Sequence, residues 1–104
     1  MSEKDTIKSG ADGAETITFS SFVVGLATQA LVFLGAAPDP RGAKVERNPK
    51  EAAAIIGVIA MLQNKSRGNL SEDEAKLVEE VLYELRLRYV SETRRGSAQE
   101  DKKG

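Results

Sequence analysis

Three stretches of the chain repeat apolar residues at the spacing of an α-helix. The first runs from about Thr18 to Leu34, contains no Pro, and is followed by Gly35, a typical C-terminal stop. Its apolar positions recur every three or four residues, so we expect them to face a core. They are Phe19, Phe22, Val23, Leu26, Ala27, Ala30, Phe33 and Leu34.

The second helix is predicted from its start signals. Asn48 is a good N-cap residue, Pro49 suits the first helical position, and Glu51 completes a capping-box pattern. One stripe of this helix should face the core, namely Ala52, Ile55, Ile56, Ile59 and Leu62. Most of the opposite side is also uncharged, and consists of Ala53, Ala54, Gly57 and Met61. Gly68 indicates where the helix ends.

The third helix is predicted from about Glu72 to Tyr89 or a little beyond, and Ser71 and Glu74 form another capping-box pattern at its start. Its core-facing stripe comprises Ala75, Val78, Val81, Leu82, Leu85 and Tyr89. The short connection to the second helix implies an antiparallel hairpin, and the Pro-containing stretch 36–47 should be an ordered or semi-rigid loop. The predicted fold class is therefore all-α: a small three-helix unit of helix, long loop and antiparallel helical hairpin, and oligomeric.

The two ends of the sequence contain almost no large apolar residues. We therefore predict disordered tails at residues 1–15 and 91–104, around a helical domain at residues 16–90. A domain of this size builds a marginal core and usually needs additional support. The chain has no Cys and no His, so disulfides and the commonest metal ligands are excluded. Oligomerisation is the support that remains.

Two long runs carry no charge, from Thr16 to Pro38 and from Ala52 to Asn64. A helix that is apolar on most sides must be buried on most sides, and three short helices cannot enclose one another completely. The surplus surface predicts a partner, and a second copy of the chain is the simplest one. We expect a homo-oligomer, with a dimer favoured; the identity of any other protein partner is not predicted.

Two stripes outside the predicted core are candidates for the self-association surface. The first lies on helix one and the second on helix three; together they comprise Ser21, Gly25, Thr28, Gln29, Tyr83, Leu87 and Val90. Two interpretations of Gly25 stay open. It permits close approach of a second copy, in which case Gly25→Leu favours the monomer, or it lets helix two approach helix one while Thr28 and Gln29 are solvated.

A membrane anchor is the alternative to a self-associating protein. Ile17 to Ala37 is long enough to cross a hydrocarbon layer of ~30 Å, although Thr28 and Gln29 would lie at mid-span, where polar groups are costly. We favour a cytoplasmic protein, because the absence of Cys fits a reducing compartment. The N-terminal residues also lack the basic and apolar pattern of a signal peptide.

Familiar catalytic chemistry is not expected, and neither is a metal or a cofactor. Without His and Cys, the common nucleophile–base pairs are missing, and the carboxylates of helix three should form a solvated face. Between Thr16 and Val90 acids and bases balance and Trp is absent, so nucleic-acid binding is not expected either. A modest basic cluster surrounds the long loop, at Arg41, Lys44, Arg47 and Lys50. The predicted function is a non-catalytic interaction or adaptor protein.

Two motifs resemble a known family. The segment Phe19 to Pro40, FSSFVVGLATQALVFLGAAPDP, is similar to the opening of the uncharacterised bacterial family called domain of unknown function 1844. The segment Met61 to Val90 resembles its second motif, especially Lys65 to Leu70 and the closing LRLRYV, with Ser66 where the family usually has Thr. The resemblance covers about Ile17 to Val90. It implies a short bacterial helical protein and transfers no catalytic residue, substrate or cofactor.

Overall fold

In the computed structural model, the backbone is described for residues 6–8 and 16–103 and the side chains for residues 17–94. The elements are, in order, β1 (Thr6–Lys8), β2 (Thr16–Thr18), α1 (Phe19–Phe33), α2 (Pro49–Lys65) and α3 (Glu72–Lys103). The three helices contact one another pairwise, and residues 66–71 join α2 to α3 as a hairpin. The predicted all-α unit of helix, long loop and antiparallel helical hairpin is confirmed.

A short antiparallel ribbon precedes the helices. Ile7 is paired with Ile17, and Thr6 with Thr18. The strand Thr6–Lys8 lies within the predicted tail of residues 1–15, and its β-branched residues favour an extended backbone. The rest of that predicted tail lies outside the described residues.

Helix α1 has well-defined ends. Thr18 Oγ1 accepts from the Ser21 N–H at 2.9 Å, and Ser21 Oγ accepts from the Thr18 N–H at 3.0 Å, which forms a capping box. At the other end the Ala36 N–H donates to the Leu31 carbonyl at 2.9 Å, and Gly35 adopts a φ of 78°. This is a Schellman motif, so the predicted stop at Gly35 is confirmed.

The start of α2 is tied to the end of α1. Asn48 Oδ1 accepts from the Glu51 N–H at 3.2 Å, and Pro49 occupies the first helical position, as predicted. The Asn48 N–H does not bond to the Glu51 side chain, as a full capping box would require. It donates instead to the Phe33 carbonyl at 2.7 Å, and so joins the two ends of the long loop.

The start of α3 carries the complete capping box that the sequence predicted. Glu74 Oε1 accepts from the Ser71 N–H at 2.8 Å, and Ser71 Oγ accepts from the Glu74 N–H at 3.1 Å. Glu74 is buried, and its carboxylate lies at the positive end of the helix dipole. This acid is therefore explained by helix capping.

The core lies between the inner faces of the three helices. Its buried members are Val23, Ala30, Ile56, Ile59, Val78, Leu82 and Leu85. Two residues predicted to face the core do not do so: Phe22 is 49% exposed and Ala75 is also exposed. Consecutive residues in a helix point about 100° apart, so Phe22 and the buried Val23 cannot share one narrow face.

The loop between α1 and α2 is organised by Asp39, whose side chain is almost buried. Its carbonyl accepts from the Gly42 N–H at 2.9 Å, and Oδ2 accepts from the Ala43 N–H at 3.1 Å. The loop lies beside Val32, on the side of α1 turned away from the core, and Val32 is buried there. The hydrogen bonds of Asp39 thus give the loop between α1 and α2 a defined turn at Gly42 and Ala43.

Helix α3 is longer than predicted. The predicted end lies at Tyr89 or a little beyond, with a disordered tail at residues 91–104, whereas the helix continues to Lys103. Within the continuation, Thr93 Oγ1 donates to the Tyr89 carbonyl at 2.7 Å. No Pro interrupts it, and most of its residues are compatible with helix.

Candidate interaction surfaces

The first predicted stripe lies on the outer side of α1. Ser21, Gly25 and Gln29 are exposed there, and Thr28 is half-buried. Most of its polar groups are used within the helix itself: Ser21 Oγ serves the capping box, and Thr28 Oγ1 donates to the Val24 carbonyl at 3.0 Å. Gln29 alone has a side chain without a hydrogen bond to any described residue.

Gly25 does not serve the packing of α1 on α2. A Cβ atom at Gly25 would have no described atom within 4 Å, so the backbone there faces open space. The interpretation that Gly25 lets helix two approach is therefore wrong, because larger side chains would fit in the folded chain. The alternative, a contact with a second copy, stays a prediction.

A cleft lies between this stripe and the long loop. Its volume is about 460 Å³, and its walls include Gly25, Gln29 and Val32 on one side and Pro40 and Val45 on the other. Asp39 and Arg41 also line it, and the Arg41 Nε lies 3.8 Å from Asp39 Oδ1. The cleft is mostly apolar with one cation at its rim. The sequence did not predict it, because it depends on how the loop folds back.

The second predicted stripe lies on α3. Tyr83 is 64% exposed, Leu87 51% and Val90 47%. Their spacing of four and three residues puts them on one face, opposite the buried Val78, Leu82 and Leu85. The two stripes thus lie on the outer sides of different helices, each turned away from the shared core.

A third apolar face was not among the predicted site residues. It lies on the outer side of α2 and consists of Ala53, Ala54, Gly57, Val58 and Met61, all of them exposed. The signal for it was present in the sequence, since the run from Ala52 to Asn64 carries no charge. On α1, Phe22 and Val24 are similarly exposed. Every helix therefore leaves large apolar side chains uncovered.

The charged side chains do not converge on a site. Among the described residues, no three acidic, His or Cys side chains are placed to hold a metal ion. Two members of the basic cluster around the loop contact different parts of the structure. Arg41 lies beside Asp39, whereas Arg47 reaches across to α3 and donates to the Glu92 carbonyl. The cluster is therefore not one continuous cationic patch.

The structure does not support the membrane-anchor alternative. Helix α1 has 15 residues, or about 22 Å at 1.5 Å per residue, against a hydrocarbon layer of ~30 Å. Ile17 belongs to β2, and Gly35 to Ala37 follow the helix rather than extend it. No helix formed by the described residues has both the length and the apolarity that a membrane crossing needs.

The fold and its surfaces define a small all-α protein with unpaired apolar helix faces. Residues 16–91 match the family described as Domain of unknown function (DUF1844), and the chain belongs to that family. The resemblance seen in the sequence motifs is thereby confirmed. No curated protein and no solved structure matches the chain significantly.

Proposed function

We propose that this protein is a non-catalytic interaction or adaptor protein that self-associates through its exposed helix faces, most simply as a dimer. The observation that supports this is the stripe of Tyr83, Leu87 and Val90, three large apolar side chains in line on the outer side of α3. Contiguous exposed apolar surface is uncommon on monomeric proteins and marks sites of association.

The small core gives a second reason for association. Among the residues whose side chains are described, ten apolar residues are buried, and only four large side chains are fully enclosed: Leu34, Ile59, Val23 and Val78. Burial of apolar surface contributes roughly 25 cal/mol per Å², so each exposed apolar face that a second copy covers adds to stability. Self-association therefore offers this chain the support that it cannot obtain from disulfides.

The proposal includes a cytoplasmic location, which the absence of Cys supports. Family membership adds no activity, since the family has no assigned function. We assign the protein no reaction, because the chain has no Cys and no His to supply the commonest nucleophile–base pairs.

The experiment is co-capture of two differently tagged copies. Both copies are produced together, one is captured through its tag, and the eluate is tested for the other. In the control, an unrelated protein carries the second tag in place of the second copy. We expect both copies in the eluate, in comparable amounts. Recovery of the captured copy alone, at concentrations that allow weak complexes to survive, would refute self-association.

A further inference from the structure

The outer face of α3 has a charge pattern that complements itself. Between Glu72 and Glu84 the helix carries six acids and one base, Lys76. Between Leu85 and Arg94 it carries three bases and one acid, Glu92. The apolar stripe of Tyr83, Leu87 and Val90 thus spans the boundary between an acidic half and a basic half.

The exposed charges next to the stripe form no ion pair with any residue whose side chain is described. The acids nearest to the stripe, Glu79, Glu80 and Glu84, are exposed, as are the bases Arg86, Arg88 and Arg94. The ion pair between Arg41 and Asp39 lies in the loop and involves none of these six side chains. The six charges are therefore available to a partner with the opposite arrangement.

A second copy of the same helix has that arrangement when it runs antiparallel. Glu80 precedes Leu87 by seven residues, and Arg94 follows it by seven. Seven residues are close to two helical turns, so all three residues lie on the same face. A two-fold axis near Leu87 then places Leu87 against its own copy and Glu80 opposite Arg94, twice in each dimer.

Charge also favours antiparallel over parallel pairing of the two α3 helices. A parallel pair would set Glu80 beside Glu80 and Arg94 beside Arg94, and like charges facing each other destabilise a contact. We propose that α3 pairs antiparallel with α3 of a second copy across a two-fold axis near Leu87, with Glu80 of each copy facing Arg94 of the other. This rests on the self-association proposed above and names its surface.

The size of this contact indicates a reversible dimer. Stable complexes bury about 800 Å² on each partner, and one helix face of three apolar side chains and its flanking charges provides less. The dimer should therefore dissociate on dilution, and its dissociation constant should respond to single charges at the interface. Exposed ion pairs are individually weak, but symmetry makes each substitution count twice.

The test is charge reversal with restoration, measured by sedimentation velocity over a dilution series of the full chain. Glu80→Arg and Arg94→Glu should each raise the dimer dissociation constant about tenfold, because two attractions become two repulsions. The double variant, Glu80→Arg with Arg94→Glu, should return it to within about threefold of the original, since the pairs are re-formed with exchanged signs. Arg88→Glu, which changes the net charge as Arg94→Glu does but lies away from the stripe, is the control.

The possible outcomes distinguish a failure of the proposed α3 surface from a failure of the proposed self-association. Failure of the double variant to recover would overturn the Glu80–Arg94 pairing. An unchanged dissociation constant in all the variants would show that the dimer forms through a surface other than α3. If the unaltered chain is monomeric, both the proposed self-association and the proposed α3 contact are wrong. The helical circular dichroism of each variant should be unchanged, since both positions are exposed.

Discussion

The guanidinium of Arg47 donates a hydrogen bond of 2.7 Å to the backbone carbonyl of Glu92. The aliphatic part of the same side chain lies against Gly35, where an added Cβ would be 3.5 Å from Arg47 Cδ. One side chain thus connects the end of α1, the loop before α2 and the middle of α3. Neither contact could be predicted from the sequence, in which Arg47 is one member of a basic cluster.

Loss of this connection should lower the stability of the folded chain. We expect Arg47→Ala to reduce the free energy of unfolding by about 1–2 kcal/mol, because a hydrogen bond from a charged donor and the packing of its stem are both lost. Chemical denaturation measures the change. The control is Arg41→Ala, at a highly exposed side chain in the same loop, which should stay within about 0.5 kcal/mol. Equal losses in the two variants would argue against a specific role for Arg47.

Two substitutions of Glu74 should distinguish the contribution of its capping hydrogen bond to stability from the contribution of its charge. Glu74→Ala removes the acceptor of the Ser71 N–H and should cost about 1 kcal/mol or more in free energy of unfolding. Glu74→Gln keeps a carbonyl oxygen at that position, and Gln serves in capping boxes, so most of the stability should be retained. A Gln variant as unstable as the Ala variant would show that the hydrogen bond is not the important contribution.

Neighbouring residues of α1 should respond very differently to truncation. Val23 is fully buried, so Val23→Ala should lower the free energy of unfolding by roughly 1–3 kcal/mol through lost contacts and a residual cavity. Phe22→Ala removes a larger side chain, but one that is half exposed, and should cost less. The comparison is made by denaturation at low concentration, where association does not contribute. A greater loss for Phe22→Ala would contradict the orientation of α1.

Glycines on α1 and α2 test whether the first stripe takes part in association. Gly25 and Gly57 both face open space within helices, so replacement by Leu should be accommodated and should raise stability by up to about 1 kcal/mol. If α3 provides the contact, neither Gly25→Leu nor Gly57→Leu should change the mass measured by light scattering. A shift to monomer for Gly25→Leu alone would move the contact to the stripe on α1.

Much of the fold could be predicted because local signals and periodicity agree. The caps at Asn48 and Ser71 and the stop at Gly35 each depend on residues close in sequence, so their physics is visible in the sequence. On α2 and α3 the buried positions could be predicted, because each helix has a recognisable apolar stripe facing the core. On α1 the apolar residues surround the helix, so the sequence could not show that Phe22 lies outside the core and Val32 under the loop.

The candidate surface was harder to predict than the fold. Periodicity separated Tyr83, Leu87 and Val90 from the core of α3, and the structure leaves them exposed. Whether two outer stripes form one surface depends on the angles between helices, which a sequence does not encode locally. The same limit applies to the cleft beside α1, which depends on contacts with a distant loop.

Sedimentation equilibrium of the unaltered chain tests the central claim, that a second copy covers the outer apolar faces. We predict a mass approaching twice the 11.2 kDa of one chain at high concentration, and a decline toward 11.2 kDa on dilution. A mass of 11.2 kDa at every concentration would contradict the claim.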